Sequence, residues 1–257
     1  MNHTYLKNLN KIEFVVTNAC TGQCKHCSQG AHNDPIERID PMLAAKALTR
    51  TASVYDLQTV MTFGGEPLLH PEAVYAILSA ATACRIPHRQ VITNGYFTRD
   101  AATMRAVTRG LAACGVNDLL LSVDAFHQET IPVDAVLQFA RMAKDCAIPM
   151  RLSPAWIGSP LDHNPYNQQT HAILERFAAL EIPIGEGNVV FPEGNAARYL
   201  AAYFTDSRPR NPYEEDPWDV RCLSVSSNGD LLDGNLYRQD VLDILTQYAP
   251  HGRNDQP

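Results

Sequence analysis

Long apolar runs are absent from this sequence of 257 residues, and none approaches the length that spans a bilayer. The opening M-N-H-T-Y-L-K-N also lacks the apolar centre of a secretion signal. Runs of Lys or Arg are absent as well. With 21 basic against 28 acidic residues the net charge is −7, which argues against nucleic acid or a membrane surface as a partner. A disulfide framework is a third absence: seven cysteines, an odd number in a chain without a signal, fit a reducing cytoplasm. A hydrophobic content of 45% with 19% charged residues excludes a disordered chain. The length allows one large domain, or one domain with an appendage.

Against that ordinary background one stretch stands out. Cys20, Cys24 and Cys27 lie in C-T-G-Q-C-K-H-C, directly after the apolar run from Ile12 to Val16. Their gaps of three and two residues let all three thiols face one point, with Gly22 turning the backbone between them. Two metal sites fit. A zinc knuckle needs a fourth ligand, which His26 or His32 could offer. An iron–sulfur cube held by three thiolates would leave one iron open, and C-x3-C-x2-C suits it better than the usual zinc spacings. The next cysteine, Cys84, is more than fifty residues away.

Strand and helix patterns alternate along the rest of the chain. Lys11–Thr17 reads as a buried strand, and Asp40-Pro41 opens a helix to about Tyr55, with Asp40 as N-cap. Strands are expected at 59–63, 88–93, 118–123, 150–153 and 189–191. Helices are expected at 71–84, 99–114, 133–146, 167–180 and 196–204. A weak repeat supports this: A-C-R-I-P-H (83–88), A-C-G-V-N-D (113–118), D-C-A-I-P-M (145–150) and A-L-E-I-P-I (179–184) recur at offsets of 30, 32 and 34 residues. That is the length of a strand–helix unit in a parallel sheet, and it makes Cys84, Cys114 and Cys146 packed residues in the last turns of successive helices. Six such units predict an α/β fold, a partial (β/α)6 TIM-like barrel with a small C-terminal hairpin–helix extension. Chemistry in such folds sits at the C-terminal ends of the strands. The cysteine triplet, Gly64-Gly65-Glu66-Pro67, Thr93-Asn94-Gly95 and Ser122-Val123-Asp124 all fall there.

Together these residues resemble the radical S-adenosylmethionine (SAM) superfamily, whose signature is C-x3-C-x2-C after the first strand with G-G-E-P after the second. The similarity runs over roughly residues 11–205. The resemblance implies a [4Fe–4S] cluster on Cys20, Cys24 and Cys27, with its open iron chelated by the amino and carboxylate groups of SAM. Reduction would cleave SAM to methionine and a 5′-deoxyadenosyl radical that takes a hydrogen atom from substrate. It implies a reductant such as flavodoxin or ferredoxin. It places Gly64, Gly65, Glu66 and Pro67 beside the SAM ammonium group, Asn94 on the same rim, and Ser122 and Asp124 near the ribose. Asp124 could equally cap the following segment. Arg151 is a candidate for the SAM carboxylate, and a plain surface arginine otherwise. Where the family usually places an aromatic beside the adenine this chain has His26, a departure.

The last fifty residues suggest a domain boundary near 205, with a barrel over 1–205 and an extension over 206–257. F-P-E-G-N-A-A (191–197) is similar to a phrase preceding the SPASM or twitch extension of peptide-modifying members. A linker, P-R-N-P-Y-E-E-D-P (209–217), then leads to a hairpin signal at Asn228-Gly229 and a final helix over about 238–247. No cysteine follows Cys222, so an auxiliary cluster lacks ligands here. Cys222 is then a packed residue or, if the hairpin folds over the barrel mouth, a catalytic hydrogen-atom donor. The expected substrate is a peptide or protein. A small molecule or cofactor precursor is the alternative, kept open because strand one near residue 11 is expected to leave no N-terminal peptide-recognition domain. A non-catalytic metal-binding protein is the alternative of another class.

Overall fold

The computed structural model describes residues 4–30, 37–204 and 209–250, so His32 lies outside the described residues. The elements in chain order are β1 (Lys11–Thr17), α1 (Pro41–Ala52), β2 (Thr59–Gly64), α2 (Pro71–Ala83), β3 (His88–Thr93), α3 (Ala101–Ala113), β4 (Asp118–Leu121), α4 (Ala125–Gln128) and α5 (Val133–Asp145). There follow β5 (Met150–Leu152), β6 (Ala155–Trp156), α6 (Pro165–Glu175), β7 (Asn188–Val189), α7 (Gly194–Tyr199), β8 (Cys222–Val225), β9 (Asp230–Leu231), β10 (Gly234–Asn235) and α8 (Val241–Gln247). Among the described residues no helix is long and apolar enough to cross a membrane.

Six parallel strands form the main sheet in the order β5-β4-β3-β2-β1-β8, the partial barrel expected for an α/β chain of this pattern. Alternation along each strand divides its residues between two faces. Ile12, Phe14, Val60, Val91, Leu119 and Leu152 are buried in the large core that they share with the helices. The opposite face is polar at its lower end. Glu13, Gln90 and Asp118 stand level there with the buried Met61 among them, and Arg151 forks its guanidinium onto Asp118 at 3.0 and 2.9 Å.

Local stops explain the repeat. In each copy the residue after the helix end is left-handed: Arg85 (φ 60°), Gly115 (φ 87°), Ala147 (φ 54°) and Glu181 (φ 53°). In the first three copies the next amide reaches back five residues: Ile86 to Ala81, Val116 to Leu111 and Ile148 to Ala143. That is the Schellman stop with its apolar residue tucked beneath. Cys84, Cys114 and Cys146 sit at the C-caps, while Leu180 ends a short 3-10 turn.

The sixth strand is not where the pattern placed it. Asn188–Val189 pairs with β6 in a separate two-stranded sheet. The place beside β1 is taken by β8 from beyond the expected boundary, with Lys11 level with Cys222. Burial drives this, since Leu223, Val225, Ile244, Leu245 and Tyr248 join the same core as Ile12 and Phe14. The Asn228-Gly229 turn forms, yet β9 pairs with β10 rather than with β8. α8 begins at Val241 because Asp240 caps it through the Leu242 amide, and it packs on α1.

Candidate functional site

The loop from Asn18 to Gly30 lies on the rim above β1, held from several sides. The Gly65 amide donates to Thr17 O at 2.8 Å and the Glu66 amide to Ala19 O at 2.8 Å. A Cβ on Gly65 would stand 2.1 Å from Ala19 O, and one on Gly64 (φ 132°) 2.5 Å from Thr17 O. Both glycines are therefore required by the cysteine loop itself, which closes onto their backbone. Pro67 begins the short 3-10 turn Pro67–Leu69.

Glu66 is fully buried. One of its oxygens accepts from the Leu68 amide (2.9 Å) and the Thr93 hydroxyl (2.7 Å), the other from the Asn94 amide (2.8 Å). Burial pushes its carboxyl up to about 7 despite these donors. Asn94 continues the chain, donating through Nδ2 to Thr21 Oγ1 at 3.1 Å and to Cys20 Sγ at 3.7 Å. Glu66 and Asn94 thus connect the ends of β2 and β3 to the cysteine loop.

The three thiols are free of disulfides. The Gly22 amide points at Cys20 Sγ from 3.4 Å. Burial pushes the Cys20 thiol up to about 11 and that of Cys24 higher still. Two N–H donors, from Gly22 and Asn94, converge on Cys20 Sγ, as suits a thiolate that ligates a metal cluster. Beside them Cys24, His26 and His127 bring their ligating atoms within 4.8 Å of one another.

His127 is the residue that sequence reasoning missed. Asp124 caps α4 through the His127 amide (2.9 Å), and its other oxygen meets His127 Nδ1 (2.8 Å) and the Ala155 amide (3.0 Å). Burial pushes the Asp124 carboxyl up, but the adjacent imidazole outweighs it and the value falls to about 2. Burial likewise lowers His127, and Asp124 more than offsets this. The signal was the i, i+3 spacing of Asp124 and His127. His26 packs against Phe126 and His127, with ring centroids 4.9 and 4.8 Å away. Its Nδ1 is buried without a partner among the described residues, and burial lowers its pKa to about 4.

Sequence matching decides the family: residues 14–153, more than half the chain, match the model described as the radical SAM superfamily. The chain belongs to the radical SAM superfamily. The superfamily's two cofactors are a [4Fe–4S] cluster and SAM, and the site's donors suit them. No curated protein matches the chain. Among solved structures it is similar to Streptococcus suis SuiB bound to S-adenosylmethionine, with 13% identity, 94% of this chain and 66% of SuiB covered, and a TM-score of 0.62. SuiB is also solved with its precursor peptide SuiA, at 14% identity, 94% and 65% coverage and a TM-score of 0.61. anSMEcpe with bound AdoMet is similar at 12% identity, 93% and 80% coverage and a TM-score of 0.59. At such identities the likeness is one of fold. The chain spans about two thirds of the length of SuiB.

Within this radical SAM chain the other expected residues part company. Ser122 sits on the rim, nearly buried, its amide bonded to Thr93 O. Asp124 is committed to α4, His127 and Ala155 rather than left open for a ribose. Arg151, a candidate for the SAM carboxylate or otherwise a plain surface arginine, stands level with Leu120 and has its guanidinium on Asp118 at 3.0 and 2.9 Å. Cys222, expected either packed or at the barrel mouth, is half-buried at the start of β8. The turn after β8 does reach the rim, where Asn18 donates to Ser227 Oγ. Cys222, however, stands level with Lys11 at the start of β1, six residues below Thr17. At the rise of a strand that is about 20 Å from the rim.

Proposed function

We propose that this radical SAM chain reductively cleaves SAM at a [4Fe–4S] cluster held by Cys20, Cys24 and Cys27, and takes a hydrogen atom from a peptide. The observation that supports a peptide is the likeness in fold to SuiB, which is solved bound to its precursor peptide.

When bound, the cluster and SAM supply the electron transfer, from a flavodoxin- or ferredoxin-like donor, and the hydrogen abstraction. The protein's own part is positioning. Gly64 and Gly65 admit the cysteine loop, Glu66 and Asn94 tie it down, and Ser122 borders the mouth. His26, neutral at pH 7, offers a flat ring for the adenine.

The test is anaerobic reconstitution followed by dithionite reduction with SAM. About four irons per chain and release of 5′-deoxyadenosine are expected. Peptides encoded by short reading frames beside this gene should raise that release, and their failure to do so, with small molecules succeeding, would overturn the peptide reading. The grouping of Cys24, His26 and His127 favours a second reading, a non-catalytic metal site. One zinc per chain, no iron and no SAM cleavage would establish it.

A further inference from the structure

The loop between Cys24 and Cys27 contains only Lys25 and His26, neither of which dictates a turn. The Cys27 amide closes a turn onto Cys24 O at 3.2 Å and the Gly30 amide another onto Cys27 O at 3.3 Å, and each carbonyl takes a second donor from one residue far along the chain. The Asn195 amide donates to Cys27 O at 2.8 Å, and Asn195 Nδ2 donates to Cys24 O at 3.1 Å. One residue therefore grips the carbonyls of two of the three cysteines.

The residue before it makes the approach possible. Gly194 is left-handed (φ 51°), and a Cβ there would lie 2.4 Å from Ser28 O and 2.7 Å from both Cys27 O and Gly30 N. Only glycine lets the chain run this close to the loop. The contact is anchored behind by a small core in which Cys24 and Phe126 pack with Ala196 and Leu200 of the α7 region. Asn195 also lies beyond residues 14–153, the span that matches the superfamily.

We propose that Asn195 is a positioning residue for the cluster: by fixing the Cys24 and Cys27 carbonyls it aims two of the three thiolates at one point. A cube with only three protein ligands has no fourth thiolate to hold it if the loop swings. The donor from Nδ2 is the part a substitution can remove, since every residue keeps the amide. The inference rests on the reading of the triplet as a cluster site.

The test uses the full chain, reconstituted anaerobically, as Asn195→Ala and as the near-isosteric Asn195→Asp, which keeps the volume but loses the donor. Three quantities are measured: the rate at which a ferrous chelator strips iron, the change SAM produces in the electron paramagnetic resonance spectrum of the reduced cluster, and the melting temperature of the apoprotein. Both variants should lose iron about five-fold faster or more, as expected for loss of one hydrogen bond. Both should also show a weakened SAM-induced spectral change, with apoprotein melting lowered by no more than a few degrees, the cost of one hydrogen bond. Parental iron release and spectra in both variants would overturn the inference while leaving the cluster reading intact. So would lowered apoprotein melting with parental iron release, because the contact would then serve only the fold. A parent that takes up no iron overturns the cluster reading and this inference together.

Discussion

Single atoms decide most at the rim. A Cβ at Gly65 would stand 2.1 Å from Ala19 O, so Gly65→Ala must push the cysteine loop outward. A loss of about 1–3 kcal/mol in stability is expected from such overpacking, together with reduced iron after reconstitution; denaturant unfolding and iron analysis check both. Glu66 predicts a pH dependence. Burial raises its carboxyl from 4.5 to about 7, so between those values the folded state holds more protons than the unfolded. Its contribution to stability is complete below pH 4.5 and disappears as the pH rises through about 7, a loss of about 3 kcal/mol. His26, lowered to about 4, works in the opposite sense over part of that window. The informative quantity is therefore the difference between Glu66→Gln and the parent apoprotein. Unfolding free energies measured from pH 4.5 to 7.5 should fall less steeply in the variant; parallel curves would refute the assignment.

The helix stops set what each element tolerates. Ala147 holds a left-handed conformation (φ 54°) that an L-residue adopts at a cost, and Gly115 holds the same place in the preceding copy. Ala147→Gly should therefore stabilise the protein by about 0.5–1 kcal/mol, the relief of strain exceeding the added freedom of the unfolded chain. Gly115→Ala should do the reverse and by more, because its Cβ would also meet Thr82 Oγ1 at 2.5 Å. Chemical denaturation of the two variants checks the pair, and equal effects in both would show that the turn, not its handedness, matters.

Across the whole molecule, the C-terminal segment completes the barrel sheet. β8 covers the edge of β1, and Tyr5 packs edge-on against Trp218 and Tyr248 with ring centroids at 5.5 and 6.4 Å. A chain ending at Phe204 would expose the Lys11–Phe14 edge and open the core at Ile12 and Phe14. Such a fragment should aggregate or melt without cooperativity, as judged by size-exclusion chromatography and thermal denaturation. A monomeric fragment with a sharp transition would instead support a domain boundary near residue 205.

Local signals made much of this protein legible. The cysteine spacing, the glycines of Gly64-Gly65-Glu66-Pro67, the cap at Asp40 and the recurring helix stops each act within a few residues, so the first five strand–helix units and the rim motifs followed from sequence alone. Distance in the chain hid the rest. Nothing near Arg151 announces that Asp118 will hold it, and the alternation of Lys11 and Glu13 along a strand does not say which face stays wet. Cys222 looked free to reach the mouth until pairing with β1 placed it at the other end of the sheet. Asn195 bears no spacing to Cys24 and Cys27, and its grip exists only because α7 packs against the cysteine loop. These choices depend on which surfaces are buried together, and burial is a property of the assembled core rather than of any one stretch.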